Sequence, residues 1–339
     1  MRPARTCWRR PPQPPSPSPD ADKGWDQHML TTLLDWVRLL RLPNHATAVA
    51  DVLAGFLIVS QTRAIEWPPQ ALWWAIFASL GFYGAGMVLN DVFDLAVDRQ
   101  ERPGRPLPSG RIGLRAAVNA GTVLMAVGSA AACATAFTAQ TPWPALVGAV
   151  LTAAVWTYNR HAKATSLGPV VMGGCRSLNW LLGMTAAGGP QGPHQWLLPI
   201  GMGVYVMGIT VYARDEAEES RSGTLSAGML IMFVGLATAG LFPWLAARAG
   251  DTGAWLEGAK LSNWLVLWGM LTASILLRAV LGIFDPSSGR VQQAVGNAIM
   301  AIITLDAVLV LATCGEPWSI VVLLLLVPFL VGRRFVSPT

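Results

Sequence analysis

Residues 70–107 read QALWWAIFASLGFYGAGMVLNDVFDLAVDRQERPGRPL, and this pattern decides the fold. The part through Leu89 holds no charged residue and has the length, about 20 residues, that an α-helix needs to cross the hydrocarbon of a bilayer. Asn90, Asp91, Asp94 and Asp98 then close the run, ahead of Arg99, Arg102 and Arg105. Polar residues ending a deep apolar span are costly to desolvate unless they hold something.

The rest of the chain agrees. Of 339 residues, 24 are basic and 19 acidic, 53% are hydrophobic and 15 are Trp, with a mean hydropathy of +0.45. So little charge excludes an ordinary soluble surface, and with it a soluble two-domain enzyme. The net charge of +5 does not point to nucleic acid, because the basic residues sit at the ends of apolar runs rather than along an aromatic-interleaved groove. Cys7, Cys133, Cys175 and Cys314 are too scattered for a disulfide framework or a metal knuckle, and read as small packing residues.

The Pro/Ser-rich RRPPQPPSPSPD near the start can neither hold a helix nor bury a core. Residues 1–28 are therefore expected to form a disordered cytoplasmic tail, and 29–335 a membrane domain. Apolar spans fall near 43–60, 70–90, 114–138, 143–158, 166–187, 196–212, 225–247, 262–283, 293–313 and 317–332. The fold class expected is all-α, a polytopic integral membrane helical bundle of ten transmembrane helices, or nine if LATCGEPWSIVV (311–322) is only a break. Gly/Ala runs such as GTVLMAVGSAAACATA (121–136) allow close helix packing in lipid. Placing the basic connections inside puts Arg99 to Arg115, Arg160, Lys163, Arg214 and Arg221 on the cytoplasmic side. The opposite loops hold little beyond Arg63, Arg248 and Lys260, and the membrane expected is a cell inner membrane.

Asp91, Asp94 and Asp98 are spaced by three and four, along one helix face. Three carboxylates that close repel unless a cation neutralises them, and as hard oxygen ligands they suit Mg²⁺. A second acidic run, YARDEAEESRSGTL (212–225), ends the sixth span with Asp215 and Glu219 four apart. Both runs emerge on the same side, so two helices can aim carboxylates at one point and hold Mg²⁺ around a diphosphate whose C–O bond is breaking. Arg102, Lys163, Arg214 and the neighbouring Tyr158 and Arg160 are candidates to meet phosphate oxygens. Arg111, Arg115, Arg333 and Arg334 read instead as positive-inside anchors. Arg176 and Asn179 interrupt the fifth span, where a cation must face a polar cavity, and Asp306 interrupts the ninth.

At these residues the chain resembles the UbiA superfamily of membrane prenyltransferases. The first signature, Asn-Asp-x-x-Asp-x-x-x-Asp followed by Arg and Arg-Pro-Leu, is matched by Asn90, Asp91, Asp94, Asp98, Arg102, Arg105, Pro106 and Leu107. The second is met loosely by Asp215, Glu219 and Thr224-Leu225, and Tyr158 with Lys163 resembles the family's Tyr/Lys element. The stretch VYVMGITVYARDEAEESR (204–221) is also similar to a divergent UbiA-like branch encoded in ebo gene clusters. The resemblance implies a Mg²⁺-dependent enzyme that ionises an isoprenyl diphosphate and transfers the prenyl group to an aromatic or lipid acceptor among membrane lipids. It implies metal held by Asp91, Asp94, Asp98, Asp215 and Glu219, and diphosphate held by Asn90, Arg102, Tyr158, Lys163, Arg176 and Arg214. Phe82, Tyr83, Trp156 and Trp180 are candidates to shield the allylic cation. His28, His45, His161 and His194 carry no placed catalytic role.

A CDP-alcohol phosphotransferase would need an Asp-Gly-x-x-Ala-Arg motif that this chain lacks, and a soluble prenyl synthase would not expose so apolar a surface. The remaining alternative is a non-catalytic UbiA-like transporter or membrane assembly subunit, with a polar path running on through Arg176 or Asp306.

Overall fold

The computed structural model describes residues 31–61, 69–214, 221–251, 253–256 and 258–335. The expected tail, Arg63, Asp215 and Glu219 lie outside the described residues. Everything regular among those residues is helical. Helix α1 covers residues 31–39. It is followed by α2 (His45–Ser60), α3 (Gln70–Phe93), α4 (Leu95–Glu101), α5 (Leu114–Thr138), α6 (Trp143–Arg160) and α7 (Gly168–Ala186). The second half holds α8 (Leu197–Tyr212), α9 (Ser222–Gly240), α10 (Phe242–Ala249), α11 (Gly258–Phe284), α12 (Ser288–Cys314), α13 (Glu316–Leu323) and α14 (Leu326–Phe335).

Each apolar stretch read from the sequence is helical, but the number of crossings differs from the nine or ten expected. Eight segments are long and apolar enough to span a bilayer: Leu42–Ser60, Gln70–Phe93, Leu114–Thr138, Pro193–Tyr212, Ser222–Ala249, Gly258–Phe284, Ser288–Cys314 and Glu316–Arg334. The fourth and fifth stretches, α6 and α7, fall outside that set because polar residues dilute them. The former ends in Thr157, Tyr158, Asn159 and Arg160, and the latter carries Arg176, Ser177 and Asn179 in its middle. In LATCGEPWSIVV the chain breaks at Gly315 (φ 80°) and then resumes as α13.

The inside and outside of the bundle are both apolar, as lipid requires. Trp73, Phe77, Phe137, Leu230 and Met270 are exposed, while Phe56, Trp180, Tyr205, Trp264 and Leu305 are fully buried. Close approach between helices rests on glycine. A Cβ on Gly81 of α3 would sit 2.8 Å from the Gly128 backbone of α5, and one on Gly235 of α9 would collide with the Tyr205 backbone of α8. Those two helix pairs have the most extensive contacts in the bundle, as expected where dispersion rather than water expulsion drives association.

One end of the bundle gathers the polar groups. Lys163, just past α6, meets Asp94 at the end of α3, and Arg111, just ahead of α5, meets Asp35 of α1. The turn Leu42–Asn44 that starts α2 packs against α14. Replacing Gly81 by Leu is expected to cost about 1–3 kcal/mol through overpacking against α5. Gly174→Ala, with no atom within 4 Å of the added Cβ, should leave the unfolding temperature in detergent unchanged.

Candidate functional site

The three aspartates of the first acidic run straddle a helix junction. Helix α3 stops at Phe93, α4 starts at Leu95, and Asp94 (φ −87°, ψ 0°) joins them. Backbone hydrogen bonds from Asp94 N to Asn90 O (3.0 Å) and from Asp98 N to Asp94 O (2.8 Å) carry the helical pattern across. Asp91 and Asp98 are separated by nearly two whole turns and share a face. Each is 4% exposed.

They also share a cation. Arg105 donates from Nη1 to Asp98 Oδ2 at 2.9 Å and lies 3.9 Å from Asp91 Oδ1. Arg41 Nη2 approaches that Asp91 oxygen from the other side at 3.3 Å. Asp94 turns away and pairs with Lys163 Nζ at 2.5 Å. The single acid face expected from the spacing is thus two sites, one held by arginines and one by lysine. The ammonium of Lys163 is otherwise without a hydrogen-bond partner.

A cavity of about 390 Å³ opens beside this cluster. Arg41, Asn44, Asn90 and Tyr158 form its polar end, and Phe82, Tyr83, Leu151, Val155, Ile299 and Ile302 are among its apolar walls. Arg102 and Asp91 line a neighbouring cavity of about 550 Å³. Arg214 is exposed and lines neither. Ala213, two residues before Asp215 in sequence, lines the smaller cavity. Of the four aromatic candidates, Phe82 and Tyr83 line the cavity. Trp156 is exposed and packs edge-on against Phe93 (5.8 Å), whereas Trp180 is fully buried away from it. His161 is exposed, and His45 is buried edge-on against Tyr83.

Arg176 and Asn179 also line this cavity, but their polar groups are engaged. Arg176 forms an ion pair with Asp51, a residue of α2 that sequence reasoning passed over, and donates to Thr47 O at 3.2 Å. Asn179 donates to Asp51 Oδ2 (2.8 Å) and Ala48 O (2.9 Å) while accepting from Ser79 Oγ (2.7 Å). The fully buried Asp306 of α12 lies near both Asp51 and Arg176, and neither of its carboxylate oxygens has a hydrogen-bond partner among the described residues. The signal for Asp51 was available: an arginine inside a membrane segment calls for a carboxylate in another one. Sequence reasoning also set Arg111 and Arg333 aside as anchors, yet both line the larger cavity together with Arg38 and Arg41. Only the third dimension brings those segments together.

The donor set at the polar end suits Mg²⁺ by type. Three aspartate carboxylates lie within two helical turns, and each is already neutralised by a cation that a metal could replace. Among the described residues no cluster of three carboxylate, imidazole or thiol groups converges closely enough to hold an ion by itself.

Fold and site together define a membrane-embedded helical bundle with an acidic, arginine-rich mouth over an apolar cavity. The sequence profile of the UbiA prenyltransferase family matches residues 48–302, and the chain belongs to that family. Curated relatives include digeranylgeranylglyceryl phosphate synthase of Sulfurisphaera tokodaii, 32% identical over 93 residues, which are 27% of this chain and 32% of the relative. The corresponding synthase of Methanocaldococcus jannaschii is 32% identical over 96 residues, 28% of this chain and 33% of the relative. The chain thus matches about a third of the length of these curated relatives. Among solved structures, a UbiA homolog from Archaeoglobus fulgidus bound to GPP and Mg²⁺ superposes with a TM-score of 0.58 at 13% identity, over 85% of this chain and 99% of the other. The apo UbiA homolog from Aeropyrum pernix K1 gives 0.55 at 18% identity, over 79% and 97%. At these identities the superpositions speak to fold.

Arg176→Met, which strands Asp51 without its counter-charge, is expected to lower stability by about 3–5 kcal/mol. The double variant Arg176→Met/Asp51→Asn should be less destabilised than Arg176→Met alone, a comparison that thermal unfolding in detergent reads directly.

Proposed function

We propose that this chain transfers an isoprenyl group from a prenyl diphosphate to an aromatic or lipid acceptor within the membrane, in a Mg²⁺-dependent reaction. The observation that carries this reading is one continuous cavity with two characters. Its polar end holds Asn90 and Tyr158 beside the Asp94–Lys163 pair, and its apolar walls run into the bundle at Phe82, Val155 and Ile302. A diphosphate head with an isoprenoid tail needs both. The UbiA homolog that holds GPP and Mg²⁺ supports the same pairing of ligand and ion.

Asp91, Asp94 and Asp98, with Asp215 and Glu219, would hold Mg²⁺, which when bound supplies positive charge against the departing diphosphate. The chain's own residues do the rest. Lys163, Tyr158, Asn90 and Arg102 orient the diphosphate by donating to its oxygens, and Arg214 stands near in sequence as a further donor. Phe82 and Tyr83 line the cavity, where aromatic rings favour an allylic cation over water. Arg176 is held by Asp51 and serves the cavity's inner wall. In this reading α6 and α7 cross the membrane as well, giving ten crossings. The acidic mouth faces the cytoplasm, residues 1–28 form a tail on that side, and 29–335 form the catalytic domain.

The transporter alternative needs a polar path beyond Arg176 and Asp306. Further along, α2 buries Phe56, Leu57, Ile58 and Val59 and α12 buries Val308, Leu309, Val310 and Leu311, with buried polar side chains returning only at the helix ends, at Ser60 and Thr313. This favours a cavity that ends inside the bundle. In proteoliposomes given a panel of isoprenyl diphosphates, Mg²⁺-dependent diphosphate release is expected. Asp94→Asn should reduce it about 100-fold or more, and chelation of the metal should stop it. Equal release by both proteins, or none from either, would overturn the reading.

A further inference from the structure

Inside the bundle, away from the acidic mouth, two carboxylates stand against one cation. Asp51 of α2 and Asp306 of α12 are both at 0% exposure, and Arg176 of α7 is the guanidinium beside them. Asp51 Oδ2 takes the guanidinium of Arg176 and the amide of Asn179. Asp51 Oδ1 and both oxygens of Asp306 have no hydrogen-bond partner among the described residues. Buried polar atoms in a folded protein are nearly always paired, and a carboxylate left bare and charged away from water is among the least favourable states a side chain can take.

The helices packed on this level bring no second cation among the described residues. Tyr205 of α8 donates to Ala298 O (2.8 Å), Trp264 of α11 to Val308 O (2.6 Å) and Ser319 of α13 to Ala307 O (2.9 Å), so all three donors are committed to backbone carbonyls of α12. Tyr83 of α3 adds a phenol near Asp51 and Arg176. Arg333 of α14 reaches α12 at Gly296, ten residues or about 15 Å short of Asp306 along the helix. Arg41 is paired with Asp91 at the mouth. One positive charge is therefore missing from the cluster, and the group that supplies it must be small. Neither aspartate lines either cavity, and among the described residues no group of three carboxylates, imidazoles or thiols converges on a metal position. A proton needs neither space nor a coordination shell.

We propose that Asp51, Asp306 and Arg176 form a binding site for one proton, in which Asp306 is a neutral carboxylic acid whose O–H donates to Asp51 Oδ1. A protonated carboxyl has one donor and an ionised one has none, so this single proton satisfies an oxygen on each aspartate. The last orphan is then the carbonyl oxygen of a neutral acid, far cheaper to leave bare than a charged one. Asp51 and Arg176 remain as a pair of unit charges, and the cluster is neutral. Without the proton, two adjacent carboxylates would repel each other across the contact between α2 and α12. The site lies behind the wall that Arg176 and Asn179 give the smaller cavity, so it fixes that wall without touching a ligand there. It stands independently of the prenyl-transfer reading.

Infrared spectroscopy of the full chain in an ester-free detergent, at neutral pH and with ¹³C-labelled aspartate, tests the site. The carbonyl stretch of a protonated aspartic acid is expected in the wild-type spectrum and is expected to disappear in Asp306→Asn. No such band, or one that Asp306→Asn leaves in place, would overturn the proposal. Asparagine has the shape of the protonated acid and its own donor for Asp51 Oδ1, so Asp306→Asn should unfold at the wild-type temperature, whereas Asp51→Asn, which strands Arg176, should unfold at a lower one. Equal destabilisation by the two variants would show an ionised Asp306 and overturn the site. A wild-type unfolding temperature that rises with Na⁺ but not with an equal concentration of N-methylglucamine, and only while Asp306 is present, would assign the missing charge to a metal cation and overturn it too. Should Asp306→Asn fail to fold, Asp306→Glu keeps the acid on a longer stem. The aspartic band is then expected to be replaced by an unlabelled glutamic one, and an aspartic band that persists would overturn the assignment. None of these readouts depends on turnover.

Discussion

The ion pair between Arg176 and Asp51 lies inside the bundle, with Asp51 fully buried and Arg176 at the wall of the cavity, and the arrangement of the helices around it follows from that constraint. Arg176 sits in the middle of α7 and Asp51 early in α2, while Asp306 joins them from α12. Leaving any one of these charges alone in the bundle would cost several kcal/mol, on the order of the whole stability of a domain. The three helices must therefore meet at this level. Asn179 and Ser79 extend the network to α3. With α2, α3, α7 and α12 tied at one depth, the space above the tie becomes the apolar cavity, and Arg176 and Asn179 form part of its wall.

At the polar end the charge is arranged in the opposite sense. The buried tie sets one cation against Asp51 with Asp306 close by, and leaves Asp51 Oδ1 and both Asp306 oxygens without a hydrogen-bond partner among the described residues. The mouth keeps carboxylates and cations paired across elements, with Arg41 and Arg105 on Asp91 and Lys163 on Asp94, near partly open cavities. Such pairs are exchangeable, because water and ligands reach them. A metal-bound diphosphate arriving there brings both signs of charge, offering the carboxylates a cation and the arginines and lysine an anion. On the proposed reading the unliganded mouth is a set of provisional ion pairs that the substrate replaces.

Much of this was legible in the sequence, for identifiable reasons. Uncharged runs of spanning length give helices whatever their neighbours, because the backbone in lipid has no other way to satisfy its polar groups. Residues 70–93 are helical for that reason. Asn90 and Tyr158 line one cavity and Lys163 pairs with Asp94, because the ends of α3 and α6 lie at the same end of the bundle. Sequence could not divide the aspartates, since the junction at Asp94 turns one carboxylate toward Lys163 and leaves two on Arg105. Nor could it group the basic residues: positive-inside reasoning takes each arginine singly, while Arg111 and Arg333 are distant in the chain and line one cavity.

The division of the aspartates bears on how the two cavities cooperate. Asp91 lines the larger, basic cavity, and Asp94, one helical turn on, faces Lys163 near the other. Both flank the same short stretch of backbone, and Arg41 touches both cavities while pairing with Asp91. An anion entering the basic cavity would compete with Asp91 for Arg41 and Arg105. Each guanidinium drawn toward that anion leaves the carboxylates with less neutralising charge and so with greater affinity for a divalent ion. Coulombic linkage of this kind needs no conformational change, because the elements are already within a few ångströms of one another. By reciprocity, a metal ion on the aspartates would free Arg41 and Arg105 for an anion, so that each ligand favours binding of the other.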